Sequence, residues 1–376
     1  MVQVIYLFTS PNMRIEELDT PAAIVDLDVM ENNIQSIADY CRQHSLKLRP
    51  HTKTHKIPEI AKLQVKAGSC GITVAKVGEA EVMAAAGLKD ILVAYPVLGE
   101  AKTTRLAQLA RECKITVSLD SLEVAEGLSV AAHKAGSQID ILLEFDTGMR
   151  RCGVETPASL VALGHAVAKL PNLHLAGVLF YPGHVWVRPE EQGPDLERLS
   201  ERIESMKQAM RANGLDCQTV SGGSTPTAYN SHRIRGVTEI RPGNFVYNDR
   251  NELGLHVCGV DQCALRILTT VVSCSVSRRA VIDAGSKTFA ADRWLSGEGK
   301  GFGLIVEHPD VYFELMSEEH GHLDLSGSSY TARVGDRLTM IPNHACVCVN
   351  LHERIFFHRK GVVEATWAVA GRGKLQ

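Results

Sequence analysis

The residues best suited to chemistry gather in a few short stretches of the chain. One reads Arg49-Pro-His51-Thr-Lys53-Thr-His55-Lys56, and others read Phe180-Tyr181-Pro-Gly183-His184 and Ser221-Gly222-Gly223-Ser224-Thr225. Arg241-Pro-Gly243-Asn244 follows, with Tyr247 shortly after it. A lysine amine can form a Schiff base, and glycine-rich turns present backbone N–H groups that hold a phosphate. Pyridoxal phosphate needs both. The competing readings are a solvated loop lysine for Lys53, which stands among basic residues, and an ordinary turn for residues 222–225.

A second candidate centre is His344 with Cys346. One residue separates them in a run that reads as β-strand, so both side chains should leave the same face. Imidazole and thiolate suit a borderline cation such as zinc, whereas carboxylates suit harder ions. The competing reading is a buried cysteine beside a satisfied histidine. Cys348 continues the same face, where a third ligand would stand, and reads instead as a core residue. His51, His55, His184 and His320 are the remaining ionisable candidates, each with the competing reading of a surface or core histidine, and His184, after the Pro182-Gly183 turn, is the best placed to touch a substrate. His320, in Glu318-Glu-His-Gly321, could enter from the C-terminal part of the chain. For Asp283 and Lys287, on a loop, simple solvation competes with a role at the domain interface.

These residues need elements to hold them. Short β-type runs at 46–51, 71–75, 90–96, 114–120, 139–146, 174–181, 218–224 and 238–243 alternate with amphipathic stretches at 57–67, 77–86, 99–112, 121–135, 158–170 and 189–212. Alternating β and α units imply a parallel sheet, and this many strands imply closure into a (β/α)8 TIM-like barrel. The connection over 224–235 is too short and Pro-broken for a full helix. In such a barrel the reactive groups lie at the carboxyl ends of the strands, where the motifs above fall. From about residue 256 the pattern changes to β-branched runs at 263–277, 280–283, 303–306, 311–315, 322–324, 329–334, 337–341, 345–350, 354–359 and 362–369, separated by Gly, Pro and Asp. They predict an all-β domain. The expected division is a barrel over 24–255 and a β domain made of 1–23 plus 256–376.

Composition narrows the class further. In 376 residues, 45% are hydrophobic and 22% charged, which excludes disorder, collagen and coiled coil. Lys plus Arg (40) nearly balances Asp plus Glu (43), so no basic field points to nucleic acid or an anionic membrane. The longest early apolar run, 4–8, is far short of a membrane span or a signal core, which predicts a cytoplasmic protein. The ten cysteines are scattered, as expected for core thiols in a reducing compartment. The recognisable pattern begins at Arg14, leaving Met1 and Met13 both open as starts.

From Arg14 onward the chain resembles the D-threonine aldolase/D-serine dehydratase family of alanine-racemase-like, fold type III pyridoxal enzymes. The resemblance is carried by Asp19-Thr-Pro21 with Val25-Asp26-Leu27, by the 49–56 stretch, and by Lys76-Val-Gly-Glu79. Asp146-Thr-Gly-Met-Arg-Arg151-Cys-Gly153, the 222–225 turn, Arg241-Pro-Gly243, Asp283-Ala-Gly-Ser286 and Pro342-Asn-His344-Ala-Cys346 complete it. It implies that Lys53 is the Schiff-base lysine and that Arg151 lies near the cofactor's 3′-oxygen. It implies that Gly222, Gly223, Ser224, Thr225, Gly243 and Asn244 cradle the phosphate, with Tyr247 and Tyr181 close to the cofactor. His344 and Cys346 are then ligands of a divalent metal (zinc, manganese or magnesium), although the pair is often followed by Pro-Thr where Val347-Cys348 stands here.

The activity implied is a pyridoxal-phosphate- and metal-dependent lyase of D-β-hydroxy-α-amino acids, with Lys53 and His184 as catalytic candidates. Retro-aldol cleavage to glycine and an aldehyde is the first reading, suggested by the 181–184 turn. Dehydration to a 2-keto acid and ammonia is the alternative, suggested by Cys346. An amino-acid racemase, active without metal, and a non-catalytic cofactor carrier are readings of other classes. A homodimer is expected, with a small-molecule substrate and no nucleic-acid or membrane partner.

Overall fold

The chain opens on β1 (Ala22–Asp26) and α1 (Leu27–Gln43), then alternates strands and helices. These are β2 (Lys47–Leu48), α2 (Pro58–Lys66), β3 (Ile72–Val74), α3 (Val77–Ala85), β4 (Asp90–Val93) and α4 (Glu100–Leu109). There follow β5 (Lys114–Leu119), α5 (Leu122–Ala135), β6 (Ile139–Glu144), α6 (Pro157–Val167), β7 (Leu173–Leu179), α7 (Gly193–Ala212), β8 (Thr219–Gly222) and β9 (Glu239–Ile240). This computed structural model describes residues 13–296 and 301–376; the apolar run 4–8 lies outside the described residues. The described chain forms two compact units: Gln35–Lys53 with Pro58–Gly243 and Gly373–Gln376, and Met1–Ile34 with Thr54–Ile57 and Asn244–Arg372.

In the first unit the strands lie in the order β2-β9-β8-β7-β6-β5-β4-β3, every neighbour parallel. The chain beyond β2 closes the sheet. His51 bridges Thr73 in parallel, and Thr73 N–H donates to the Pro50 carbonyl at 2.8 Å. The eight expected strands and the barrel are therefore present, and the connection after β8 holds only a 3-10 turn, Ala228–Arg233. Strand residues such as Ile72, Val74, Ile91, Val117, Ile141 and Val178 pack inside with the apolar stripes of the helices. In α5 the buried set Val124, Ala125, Leu128, Ala131 and Ala132 follows the 3.6-residue period. Thr156 Oγ1 caps α6 by accepting the Ser159 N–H at 3.1 Å. A bulge offsets β7 against β6 at Gly177, whose φ of +148° and contact with the Thr219 carbonyl leave no room for a Cβ.

The second unit contains β1, α8 (Arg250–Gly254), β10 (Leu265–Ser273), β11 (Arg279–Ile282), α9 (Ser286–Phe289), β12 (Gly303–Ile305) and β13 (Tyr312–Met316). It continues with β14 (Gly321–Asp324), β15 (Arg337–Pro342), α10 (Ala345–Leu351), β16 (Arg354–Arg359) and β17 (Val362–Ala368). The strand path is β13-β14-β11-β10-β1-β16-β17, with β15 between β10 and β12, and among the described residues only the β1–β16 pair is parallel. Asp283 accepts hydrogen bonds from the Thr20 and Thr269 hydroxyls at 2.5 and 2.7 Å, tying the chain start to β10.

Two expectations fail here. Residues 329–334 form no strand, because Asp336 folds them into a turn by accepting the Arg333 N–H at 2.8 Å and the Tyr330 hydroxyl at 2.6 Å. Residues 345–350 are helix, not strand. Pro342 ends β15, a carboxylate from Asp249 accepts the Ala345 N–H at 2.9 Å, and Ala345, Cys348 and Val349 bury one helical face. The same-face argument for His344 and Cys346 therefore does not hold as stated.

Candidate active site

The barrel unit gathers its polar residues past the carboxyl ends of five consecutive neighbours, β2, β9, β8, β7 and β6. Lys53 follows β2, Arg241 and Gly243 follow β9, residues 222–225 end and follow β8, Tyr181 and His184 follow β7, and Arg151 follows β6. Beneath them runs a buried chain of bonds. Arg49 Nε donates to Glu239 Oε2 at 2.8 Å, and Ser221 Oγ donates to Glu239 Oε1 at 2.6 Å. Arg241 Nε donates to Ser221 Oγ at 3.0 Å, and its Nη2 reaches the Phe180 carbonyl at 2.7 Å. Arg241 cannot swing away without leaving these partners unpaired.

Above this layer, Lys53 Nζ is 5.8 Å from the centre of the Tyr181 ring, and the Arg151 guanidinium is 4.7 Å from the same centre. His51 is buried and held neutral: burial first, then the charges of Lys53 and Arg241, push its pKa well below the usual 6.5. Burial also raises the Glu144 carboxyl, against the pull of Arg241 and Arg151. Burial lowers Arg241 to about 10. Lys53, Arg151 and Arg241 thus form a cationic spot, which fits an anionic, phosphate-bearing group.

In the 222–225 turn, Gly223 has a φ of +92°, which favours glycine, and a Cβ on Gly222 would strike the Phe180 ring at 2.1 Å. The Ser224 N–H already donates to Thr227 Oγ1 at 3.2 Å, so part of the turn's donor capacity is spent internally. His184 is exposed and lies over the 146–153 loop, its Nε2 3.2 Å from where a Cβ on Gly148 would be.

The second unit carries the other candidates. Asn244 and Tyr247 are buried, and the Tyr247 hydroxyl finds no hydrogen-bond partner among the described residues. An orphaned buried phenol is the kind of donor a phosphate oxygen would satisfy. His344 stands extended at the start of α10 and Cys346 lies in its first turn. The electrostatic pull of Cys346 first, then a hydrogen bond to Asp249, hold the His344 imidazole well above its usual pKa. His344 Nδ1 donates to Asp249 Oδ2 at 2.9 Å, which leaves Nε2 as the ring's other face. Thr54, bonded in sequence to Lys53, has its hydroxyl 3.2 Å from Cys346 Sγ. Cys348 is fully buried and gives its S–H to the Thr288 carbonyl at 3.3 Å. Burial and the nearby Asp249 charge push Glu252 up to about 8, so it holds its proton at neutral pH.

Among the described residues, no three His, Cys, Asp or Glu side chains are arranged to hold a metal by themselves. A cation on His344 and Cys346 would keep positions open for water or substrate, as catalytic sites do. Lys287 pairs with Glu319 at 2.6 Å on the surface, and Asp283 is used up within its sheet.

Residues 25–251 match the family described as alanine racemase, N-terminal domain, and residues 264–358 match the putative serine dehydratase domain. The chain belongs to the D-threonine aldolase/D-serine dehydratase family. It is 34% identical to a D-threonine aldolase of Arthrobacter sp over 96% of this chain and 95% of that one. The solved D-threonine aldolase of Filomicrobium marinum superposes with a TM-score of 0.91 at 33% identity, covering 98% of this chain and 100% of the other. The D-threo-3-hydroxyaspartate dehydratase of Delftia sp. HT23 gives 0.87 at 32% identity, over 94% and 98%. A cysteine-to-alanine mutant of D-threo-3-hydroxyaspartate dehydratase is solved in a metal-free form. Membership in this D-threonine aldolase/D-serine dehydratase family makes the chain a lyase of the fold type III pyridoxal class. No helix of the described residues is long and apolar enough to cross a membrane.

For this member of the family, sequence reasoning missed three residues: Asp249, Thr54 and Arg241 as a buried cation. Arg241 was visible only as part of a Pro-Gly turn. Asp249 and Glu252 have the Asp-x-x-Glu spacing of a helix start, and Asp249 does cap α8 through the Asn251 and Glu252 N–H groups. Nothing in that spacing points to His344.

Proposed function

We propose that this chain is a pyridoxal-phosphate- and divalent-metal-dependent lyase that cleaves the Cα–Cβ bond of D-β-hydroxy-α-amino acids, releasing glycine and an aldehyde. The observation that carries the reading is the pairing of His344 with Cys346, the imidazole backed by Asp249. Bound pyridoxal phosphate would supply an electron sink for the pair left at Cα, and a cation on His344 and Cys346 would supply acidity for the substrate hydroxyl.

The protein's own residues do the rest. Lys53 provides the amine that tethers the cofactor and, once exchanged for substrate, a free base at the same place. Arg151 and Arg241 supply positive charge toward its oxygens and ring, and neutral His51 adds no competing charge. Gly222, Gly223, Ser224, Thr225, Gly243 and Asn244 are the proposed phosphate cradle, with the Tyr247 hydroxyl as a further donor. Tyr181 orients Lys53 and Arg151 through its ring, and exposed His184 is the proposed contact to the substrate side chain. The barrel over 24–255, the β domain of 1–23 plus 256–376, a cytoplasmic location and a homodimer belong to the same proposal.

Dehydration to a 2-keto acid and ammonia is the second reading. It is favoured by Cys346 together with the metal-free cysteine mutant of the related dehydratase. Incubation with D-threonine and D-serine, with and without chelator, separates the two. Glycine with acetaldehyde supports the aldolase, and 2-keto acid with ammonia supports the dehydratase. Turnover that survives complete metal removal would sink both.

A further inference from the structure

Asp249 is fully buried, and N–H donors surround its carboxylate. Oδ1 accepts the Asn251 and Glu252 backbone N–H groups at 3.0 and 3.1 Å, a helix cap that a serine could equally provide. Oδ2 is different. It accepts from Asn244 Nδ2 at 2.6 Å, from His344 Nδ1 at 2.9 Å and from the Ala345 N–H at 2.9 Å. Three donors from two distant segments share one oxygen. An asparagine would turn an amino group against donors on one side or the other, and a serine hydroxyl is too short to reach His344. Capping alone therefore does not explain an aspartate here.

We propose that Asp249 is the positioning residue for the metal ligand His344 and that, through Asn244, the same carboxylate oxygen couples metal binding to phosphate binding. This rests on the proposed roles of His344 and Asn244. A carboxylate behind a ligating imidazole fixes its tautomer and raises its basicity, and such partners govern metal affinity about 10–100-fold. When Asn244 turns its amide hydrogen toward a phosphate, Oδ2 loses a competing donor, and more of its charge is available to His344 Nδ1–H. The imidazole then binds a cation more tightly. By linkage, the cation strengthens phosphate binding by the same factor.

The test titrates the full-length chain, stripped of metal, with Zn²⁺ against a chromophoric chelator and with Co²⁺ by its visible spectrum. Each titration is run on the cofactor-bound protein, and on cofactor-free protein with and without inorganic phosphate. In the cofactor-free wild type, phosphate should tighten zinc binding about fivefold or more. Asp249→Ser, which keeps the helix cap, should weaken zinc about 10–100-fold, shift the Co²⁺ spectrum and abolish the phosphate effect. Asn244→Ala, which removes the competing donor outright, should bind zinc as tightly as phosphate-bound wild type and show no further phosphate effect, so it decides the coupling even where Asp249→Ser folds poorly. Wild-type zinc affinity and an unaltered Co²⁺ spectrum in Asp249→Ser would overturn the positioning role. A phosphate effect that persists in Asn244→Ala would overturn the coupling. His344→Ala separates the two levels. If it retains zinc, the metal assignment itself is wrong and this inference falls with it; if only His344→Ala loses zinc, the inference alone fails.

Discussion

The hydroxyl of Thr54 lies 3.2 Å from the sulfur of Cys346, a residue 292 positions away along the chain. The contact ties the neighbour of Lys53 to the first turn of α10. A hydroxyl hydrogen-bonded to the sulfur holds it in one orientation. Thr54→Val, which keeps the shape and loses the hydroxyl, should lower zinc affinity about tenfold, while Thr54→Ser restores it. Equal affinities in all three proteins would mean that the contact is only packing.

Lys53 should carry the cofactor. Borohydride reduction of the pyridoxal-phosphate-loaded protein, followed by peptide mapping, is expected to place the label on Lys53. Label on Lys47 or Lys56 would move the site; Lys56 already donates to Asn350 Oδ1 at 2.9 Å. Lys53→Ala should be colourless after dialysis and inactive.

Cys346→Ala and Cys348→Ala form the sharpest pair. The first removes one of two proposed ligands, so bound metal and turnover should collapse while the cofactor absorbance stays, with partial recovery at high zinc or manganese. The second replaces a buried thiol bonded to the Thr288 carbonyl, and metal content should be unchanged. Full metal content in Cys346→Ala would return that residue to the core.

His51 makes stability depend on pH in a definite direction. Its folded-state pKa is depressed, so below its ordinary value of 6.5 the unfolded chain takes up a proton that the folded chain refuses. Stability of the cofactor-free protein should fall as pH drops from 6.5 toward 5, by up to about 1 kcal/mol per pH unit from this group. His51→Gln should flatten that slope in urea unfolding at pH 7.5, 6.5 and 5.5. A slope identical to wild type would show that other groups dominate.

Much of this protein was legible in its sequence because the forces involved are local. Strand periodicity and helix stripes predicted the alternating elements, and the Pro-broken stretch after β8 predicted the missing helix. Motifs at the carboxyl ends of β2, β7, β8 and β9 were recognisable because a barrel puts strand ends together whatever the rest does. Residues 345–350 were misread for a physical reason. Over so short a run, alternating β-branched residues and one helical face look alike, and the choice fell to Pro342 and to an acceptor supplied by Asp249. Asp249 itself illustrates the limit. Its place before α8 is a local signal, but its bond to His344 spans 95 residues, and Thr54 reaches Cys346 across 292. Such partners are chosen by where β15 and α10 bring the chain back. No residue type or spacing along the chain encodes that, so only the tertiary structure decided what stands behind the candidate metal ligands.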